Sequence, residues 1–255
     1  AGAIPKRTTV SGKKVDGNMQ FIDLKAQYRA LETEIQANIN TVLEHGRFIM
    51  GPEVAQLEKE LCDYTGRKYY VTCANGTDAL QMALMVWGIG KGDAVFVPSF
   101  TFMSTAEVVN LQGGTPVFVD IDINTFDMCP DSLEKAIEAV EAEGKLTPKA
   151  VIPVDLFGQC ADFPRIEKIA KAHNLFVLED GAQGFGGTAD GKRACSFGDM
   201  STTSFFPAKP LGCYGDGGAV FTDNEEWYNI LASIRVHGKG AMKYDNVRVG
   251  LNSRL

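Results

Sequence analysis

The chain has 255 residues, of which 45% are hydrophobic and 22% are charged, so it can bury a large core and lacks the composition of a disordered protein. Its formal net charge of −7 argues against a general nucleic-acid binder and against a basic protein of membrane surfaces. No apolar run approaches the roughly 18 residues that a membrane span requires.

The six cysteines are scattered through the sequence, and none has the CxxC spacing of a metal or redox motif. Scattered cysteines in apolar segments are typical of reduced core residues, which predicts a cytoplasmic protein without disulfides. The three histidines also lack ligand spacing, so we expect no structural metal site.

The first eighteen residues differ from the rest of the chain. Residues 1–18 combine basic side chains with Gly, Ser and Thr, and they lack the apolar stretch of a signal peptide. We expect a leader or a disordered arm here, followed by one large domain over residues 19–255.

Two amphipathic helices are predicted next, over residues 27–45 and from Pro52 to about Gly66. Short apolar runs then alternate with helical stretches. The predicted strands cover 69–73, 94–98, 116–120, 150–154, 175–179, 200–206 and 218–222. The predicted helices cover about 77–87, 101–112, 131–142, 162–173 and 225–236. This alternation predicts an α/β fold with a parallel sheet that helices cover on both faces. In such a fold, functional residues lie at the carboxyl ends of the strands.

A small glycine turn follows the first predicted strand and leads into a helix. Its residues Asn75, Gly76 and Thr77 would offer free N–H groups, a hydroxyl and the positive end of the helix dipole to an anion. An ordinary helix cap is the alternative. The GxGxxG and GxxxxGK[ST] nucleotide motifs are absent from this segment.

An aromatic side chain and an acidic one follow two other strands. Phe102 comes after the second strand, where it either covers a planar ring or packs in the core. Asp180 ends the fifth strand, and a carboxylate is costly to bury there unless it meets a cation. It either caps the next helix or is held for a positively charged heterocycle.

A lysine follows the sixth strand in an unusual setting. Lys209 lies between Pro207 and Pro210, and glycines follow at 215, 217 and 218. A lysine among apolar and proline residues is a candidate nucleophile of the kind that forms Schiff bases, with a surface turn as the alternative.

The order of these features indicates their chemistry. A phosphate cradle, a stacking aromatic, an acid for a ring nitrogen and an amine for an aldehyde, in that order on one parallel sheet, describe a site for pyridoxal 5′-phosphate.

From Phe21 to Leu255 the sequence resembles the sugar aminotransferases of the DegT/StrS family. The resemblance rests on FIDL, GPEV, NGTDAL, PSFTF, EDGAQ, SFFPAK, GDGG and GLNSRL. It implies the large domain of aminotransferase fold type I, with a mostly parallel seven-stranded sheet. The string TSFFPAKPLGCYGDGGA looks closest to members that aminate the 3-keto group of UDP-N-acetyl-3-keto-glucuronic acid for cell-surface polysaccharide such as lipopolysaccharide O-antigen.

The resemblance also implies roles for single residues around the cofactor. Lys209 would bind the aldehyde, and Asp180 would pair with the pyridine nitrogen. Gln183 would contact the 3-hydroxyl side, and Phe102 takes the place of the ring-stacking aromatic.

The phosphate would be held by Gly76, Thr77 and Ser204. Asn252 matches a residue that family members extend to the phosphate of a neighbouring subunit, which implies a homodimer with two composite sites. Glutamate would be the amino donor and a UDP-sugar the acceptor. No nucleic acid or membrane partner is expected.

Several features depart from the family pattern or have no role in it. Gly181 stands where Ala is usual and Asp216 where Glu is usual, and Arg235, His237 and Arg254 receive no role. The small C-terminal domain that follows GLNSRL in the family is absent from this sequence.

The sequence is compatible with three classes of protein. The first is a sugar aminotransferase, and the second is a dehydratase of the same family, although dehydratases carry His at the position of Lys209. The third is a non-catalytic remnant or assembly module.

Overall fold

The computed structural model describes residues 21–242 and 244–255, so the predicted leader at 1–18 lies outside the described residues. The chain divides into two units, residues 1–44 and residues 45–255. The described part of the first unit holds nearly all of helix α1 (Leu24–His45), whose apolar residues Leu31, Ile39 and Leu43 are exposed. Over its described length, the chain has no helix with the length and hydropathy of a membrane span.

The second unit alternates strands and helices as the sequence predicts, with boundaries that differ by a few residues. In chain order it contains α2 (Pro52–Thr65), β1 (Tyr69–Cys73), α3 (Gly76–Val86), β2 (Asp93–Pro98), α4 (Ser104–Leu111), β3 (Thr115–Val119), α5 (Pro130–Glu143), β4 (Thr147–Val151), α6 (Phe163–Ala172), β5 (Phe176–Asp180), β6 (Thr188–Ala189), β7 (Lys192–Arg193), β8 (Met200–Ser204), β9 (Gly218–Thr222) and α7 (Glu225–Ile234).

Seven of the strands form one sheet in the order β1-β9-β8-β5-β4-β2-β3, and β6 pairs with β7 in a separate hairpin. Every pair in the large sheet is parallel except those of β9, which is antiparallel to both neighbours. The predicted mostly parallel seven-stranded sheet is confirmed. Because β1 and β8 flank β9, they run in the same direction, and their carboxyl ends meet those of the parallel strands at one edge.

Apolar side chains cover both faces of the sheet, as the nearly continuous apolar strands predict. Val95 and Val97 of β2 pack in the cluster that contains residues of α3, α4 and α7. Phe96, which lies between them, packs in the cluster that contains residues of α5 and α6. Helices therefore cover both faces of the sheet, so a functional site is expected at its edges.

A buried arginine joins three distant segments beside β1. Arg67 is 7% exposed, and its Nη2 donates to the carbonyl oxygens of Phe197 at 2.5 Å and Gly198 at 2.9 Å. Its Nη1 lies 3.0 Å from Oδ2 of Asp223, just after β9. These bonds hold the start of β1 against the loop before β8 and the end of β9.

Candidate active site

A cavity of about 450 Å³ lies where the carboxyl ends of β1, β5 and β8 meet. Most of the residues that the sequence singled out line it. They are Gly76, Thr77, Phe102, Asp180, Gln183, Ser204 and Lys209, together with Asp216. Asn252 is exposed and does not line the cavity of its own chain.

The N-terminus of α3 forms one side of the cavity. Oδ1 of Asn75 accepts the N–H of Asp78 at 2.8 Å, so the predicted cap is present. Oγ1 of Thr77 lies 2.8 Å from Oγ of Ser104, which places two hydroxyls beside the first turn. The cap and the anion cradle are compatible, because capping satisfies one N–H and leaves the others at the cavity.

Gly76 allows β8 to approach this helix closely. A Cβ at this position would lie 2.7 Å from Cβ of Ser204, a distance that real side chains do not adopt. The glycine therefore brings the hydroxyl of Ser204 next to the helix terminus.

The C-terminal segment is tied to the same helix. Oγ of Ser253 accepts the N–H of Ala74 at 3.0 Å and donates to Oδ2 of Asp78 at 2.5 Å. The backbone of Asn252 forms a bridge with Val236. Ser253 is buried, whereas the neighbouring Asn252 is exposed to solvent.

Asp180 lies at the carboxyl end of β5 and is 5% exposed. Its Oδ2 accepts the hydroxyl of Thr105 at 2.9 Å, and its Oδ1 accepts the N–H of Ala182 at 3.3 Å. Burial raises the pKa of Asp180, whereas these two bonds and the positive charge of Lys209 oppose that rise. The carboxylate is therefore oriented into a site that suits a cationic partner. The sequence analysis missed Thr105, although it follows the PSFTF segment in the first turn of α4.

Lys209 is half-buried in the turn that follows β8. Its N–H donates to the carbonyl oxygen of Phe206 at 2.8 Å, and the N–H of Cys213 donates to Phe205 at 2.7 Å. The two bonds fold the segment back on itself. Since Lys209 lines the cavity and acts electrostatically on Asp180, it is not a residue of an ordinary surface turn.

Phe102 and Gln183 also line the cavity, and Gln183 is bonded to a segment that carries a group of aromatic side chains. Phe102 is 68% exposed while lining the cavity, so it is not a core residue. Oε1 of Gln183 accepts the N–H of Phe157 at 3.0 Å. The ring of Phe157 lies 6.3 Å from that of Phe100 and 6.2 Å from that of Phe126.

Arg235 is buried away from the cavity and has a structural role. Its Nη1 donates to Oε1 of Glu58 at 2.7 Å and to the hydroxyl and carbonyl of Thr72 at 3.0 and 3.2 Å. The same Glu58 oxygen accepts the N–H and the hydroxyl of Thr72. The arginine thus fastens α7 to α2 and β1.

Comparison with known proteins places these features in a family. Residues 29–255 match the DegT/DnrJ/EryC1/StrS aminotransferase family. The chain is 50% identical over 239 residues to a UDP-2-acetamido-2-deoxy-3-oxo-D-glucuronate aminotransferase from Pseudomonas aeruginosa, covering 93% of this chain and 64% of that protein.

Solved structures show the same fold. A DegT DnrJ EryC1 StrS aminotransferase from Brucella abortus superposes with a TM-score of 0.92 and 56% identity, covering 93% of this chain and 64% of that chain. NtdA from Bacillus subtilis, with bound cofactor PMP, gives a TM-score of 0.85 at 33% identity over 94% of this chain and 54% of that chain. The chain therefore spans less than two thirds of the length of each of these proteins.

Gly181 lies directly against the side chain of Cys195. A Cβ at position 181 would lie 2.5 Å from Sγ of Cys195 and 3.1 Å from the carbonyl oxygen of Thr202. Cys195 is completely buried, so its sulfur cannot move out into solvent. The glycine and the cysteine therefore fill one volume together.

We expect Gly181→Ala to destabilise the fold by about 1–3 kcal/mol through overpacking. Adding Cys195→Ala removes the sulfur and should recover most of that loss, which urea unfolding of the four variants in a double-mutant cycle measures. The matched control pairs Gly181→Ala with Cys73→Ala, another buried cysteine, and its effects should add. The steric coupling would be contradicted if the changes in the free energy of unfolding added in the Gly181/Cys195 cycle as they do in the Gly181/Cys73 cycle.

Proposed function

Because the chain belongs to the DegT/DnrJ/EryC1/StrS aminotransferase family, we propose that it binds pyridoxal 5′-phosphate and transfers an amino group to the keto group of a UDP-linked sugar. The observation that carries the proposal is the presence of Asp180, Lys209 and the N-terminus of α3 in one cavity. The similarity to the Pseudomonas aeruginosa protein supports a 3-keto N-acetylglucuronate sugar as the acceptor. Glutamate is the donor that the family resemblance implies.

The residues present fit the cofactor in both size and charge. The cavity of about 450 Å³ falls within the usual range of small-molecule sites. Gly76, Thr77 and Ser204 offer N–H and hydroxyl groups to a phosphate, and they are held together by the close approach of α3 and β8. At the end of β5, Asp180 offers a buried carboxylate to a cationic ring nitrogen, and Lys209 offers an amine to an aldehyde.

When bound, pyridoxal phosphate supplies an aldehyde that takes up amino groups and a ring that accepts an electron pair from the substrate carbon. Nζ of Lys209 would bind this aldehyde and would be released when an amino substrate enters. The released Nζ would then take the proton from the substrate carbon and deliver it to the carbon that had carried the aldehyde. Asp180, oriented by Thr105, would keep the ring nitrogen protonated. Phe102 would pack against the ring.

We further propose that the protein forms a homodimer in the cytoplasm and takes part in the synthesis of cell-surface polysaccharide. Asn252 supports the dimer, because it is exposed, lies outside the cavity of its own chain and is anchored through Ser253 to the phosphate cradle. In a twofold assembly each Asn252 would donate to the phosphate held by the partner. The scattered cysteines support a reducing compartment.

We expect Lys209→Ala to abolish both transamination and covalent attachment of the cofactor, because no other lysine among the described residues lines the cavity. Borohydride reduction followed by peptide mass analysis measures the attachment independently of turnover. Lys135→Ala, a change of an exposed lysine on α5, is the control and should retain both properties. Retained turnover in Lys209→Ala would refute the proposed function.

Asp180→Asn should still bind pyridoxal phosphate but lose on the order of 10²–10³ in the transamination rate, because the amide no longer stabilises the protonated ring. Single-turnover kinetics with glutamate measures the loss. The exposed Asp190→Asn serves as the charge control. A wild-type transamination rate in Asp180→Asn would contradict this role, and Asp180 would then only cap the turn at Ala182.

A mixture of Lys209→Ala and Asn252→Ala chains tests the shared site. If each site combines Lys209 of one chain with Asn252 of its partner, hybrid dimers contain one intact site. We expect tight, borohydride-reducible cofactor binding to reappear on mixing, and light scattering checks the dimer. A monomer, or a mixture that binds no better than its two components, would contradict the shared site.

A further inference from the structure

Three carboxyl groups lie together in the interior at the carboxyl end of β5. Glu179 and Asp155 are 0% exposed and Asp180 is 5% exposed. Asp155 belongs to the loop after β4, and its N–H donates to the carbonyl oxygen of Asp180 at 3.1 Å. The preceding residue, Val154, forms a parallel bridge with Asp180. The loop is therefore fastened to the end of β5 directly beside the proposed ring-nitrogen partner.

The hydrogen bonds of Glu179 are those of an ionised carboxylate. Its Oε1 accepts the N–H of Cys195 at 2.5 Å, and its Oε2 accepts the N–H of Phe197 at 2.7 Å. Cys195 has a φ of 68°, in the left-handed region, and its N–H points at the carboxylate. The segment before β8 thus wraps around one negative charge.

Among the described residues, Asp155 receives a hydrogen-bond donor on only one of its two carboxyl oxygens. Its Oδ1 accepts the N–H of Ala161 at 3.2 Å, but Oδ2 is buried and receives no donor from any described residue. Asp155 and Glu179 lie close enough for their charges to act on each other. Two ionised carboxylates would only repel, whereas a protonated carboxyl group at Asp155 can donate from its buried oxygen to Glu179.

We propose that Asp155 is a positioning residue whose protonated carboxyl group donates to Glu179, holds the loop after β4 against β5, and leaves Asp180 as the carboxylate that meets the cofactor. The last clause rests on the proposed function. The loop also carries Phe157, whose N–H is bonded to Gln183 in the cavity wall. Release of the Asp155 side chain would therefore disturb Asp180 and Gln183, both of which line the cavity.

The charges around Asp155 favour its protonated form. Burial raises the pKa of Asp155 well above its usual value, and the negative charge of Glu179 raises it further. Burial also raises the pKa of Glu179, to about 7, but the hydrogen bonds that Glu179 accepts and the positive charge of Arg67 oppose that rise. Asp155 has fewer such opposing groups and therefore holds its proton more strongly. The titratable groups that act on or pack near this carboxyl are Glu179 and Asp180 of β5, Asp127 before α5, Cys160 before α6, and Cys195. All are acidic or neutral, so a charged Asp155 would meet repulsion without an adjacent cation.

The experiment counts protons released on unfolding. An aspartate in an unfolded chain has a pKa of about 3.9, so between pH 6 and 7 the unfolded state loses a proton that folded Asp155 retains. Stability therefore falls as pH rises, and this group alone increases the unfolding constant by about tenfold per pH unit. Calorimetry of the full chain in buffers of different ionisation enthalpy measures the count, with and without added pyridoxal phosphate.

We expect Asp155→Asn to release about one proton fewer than the wild type, both with and without the cofactor. Glu138→Gln, which changes an exposed carboxyl group on α5 to an amide, is the control and should match the wild type. Equal proton release from Asp155→Asn and wild type would overturn the proposal. Because the count without cofactor involves neither Lys209 nor turnover, it can fail or succeed independently of the proposed function.

Cofactor affinity tests the positioning role. The amide that Asp155→Asn introduces can still donate to Glu179, so this variant should bind pyridoxal phosphate within a few-fold of wild type. Asp155→Ala should bind it at least about tenfold more weakly, as is usual when a supporting residue is removed. Equal affinity in both variants would overturn the positioning role.

If neither variant folds, infrared spectroscopy of the native wild type tests the protonated carboxyl group directly. The carbonyl band of a buried carboxylic acid must be present at pH 7, and its absence would overturn the proposal.

Discussion

The cost of burying carboxyl groups at the end of β5 governs the architecture around the cavity. Glu179 and Asp180 are adjacent in sequence, so they point to opposite faces of the sheet, and each needs its own set of donors. Glu179 takes two N–H groups from the segment before β8, and Asp180 takes the hydroxyl of Thr105 and the N–H of Ala182. The loops on both faces are therefore shaped by the requirement to compensate buried negative charge.

The cavity that results has two electrically different sides. The positive end of α3 and the hydroxyls of Thr77 and Ser204 favour an anion, whereas Asp180 favours a cation. A molecule with a phosphate at one end and a protonated ring nitrogen at the other fits such a site in only one orientation. Lys209 acts on Asp180 from the turn after β8, so the amine belongs to the same side as the carboxylate. Orientation of the ligand thus follows from the order of the strands.

The sequence predicted the strands, and seven of its eight predicted site residues line the cavity. It could do so because parallel strands collect their carboxyl ends at one edge wherever they occur in the chain. The antiparallel direction of β9 was not predictable, since an apolar run such as GAVFT has no direction. The donors of Asp180 and Glu179 were missed for a related reason. Thr105 is 75 residues from Asp180, and only the tertiary fold places their side chains together. Arg235 remained without a role because nothing local indicates Glu58 as its partner.

The position of β1 has a consequence for how the chain reaches this structure. β1 lies at the edge of the sheet, and its one partner among the described strands is β9, which is separated from it by most of the second unit. During synthesis, β1 and the helix that follows it must wait without a strand partner until β9 has emerged, and Ser253 secures them later still. Such long-range pairing slows folding and leaves apolar strands exposed in the meantime. The anion-binding corner is thus translated before most of the second unit but is among the last parts of that unit to acquire its native form.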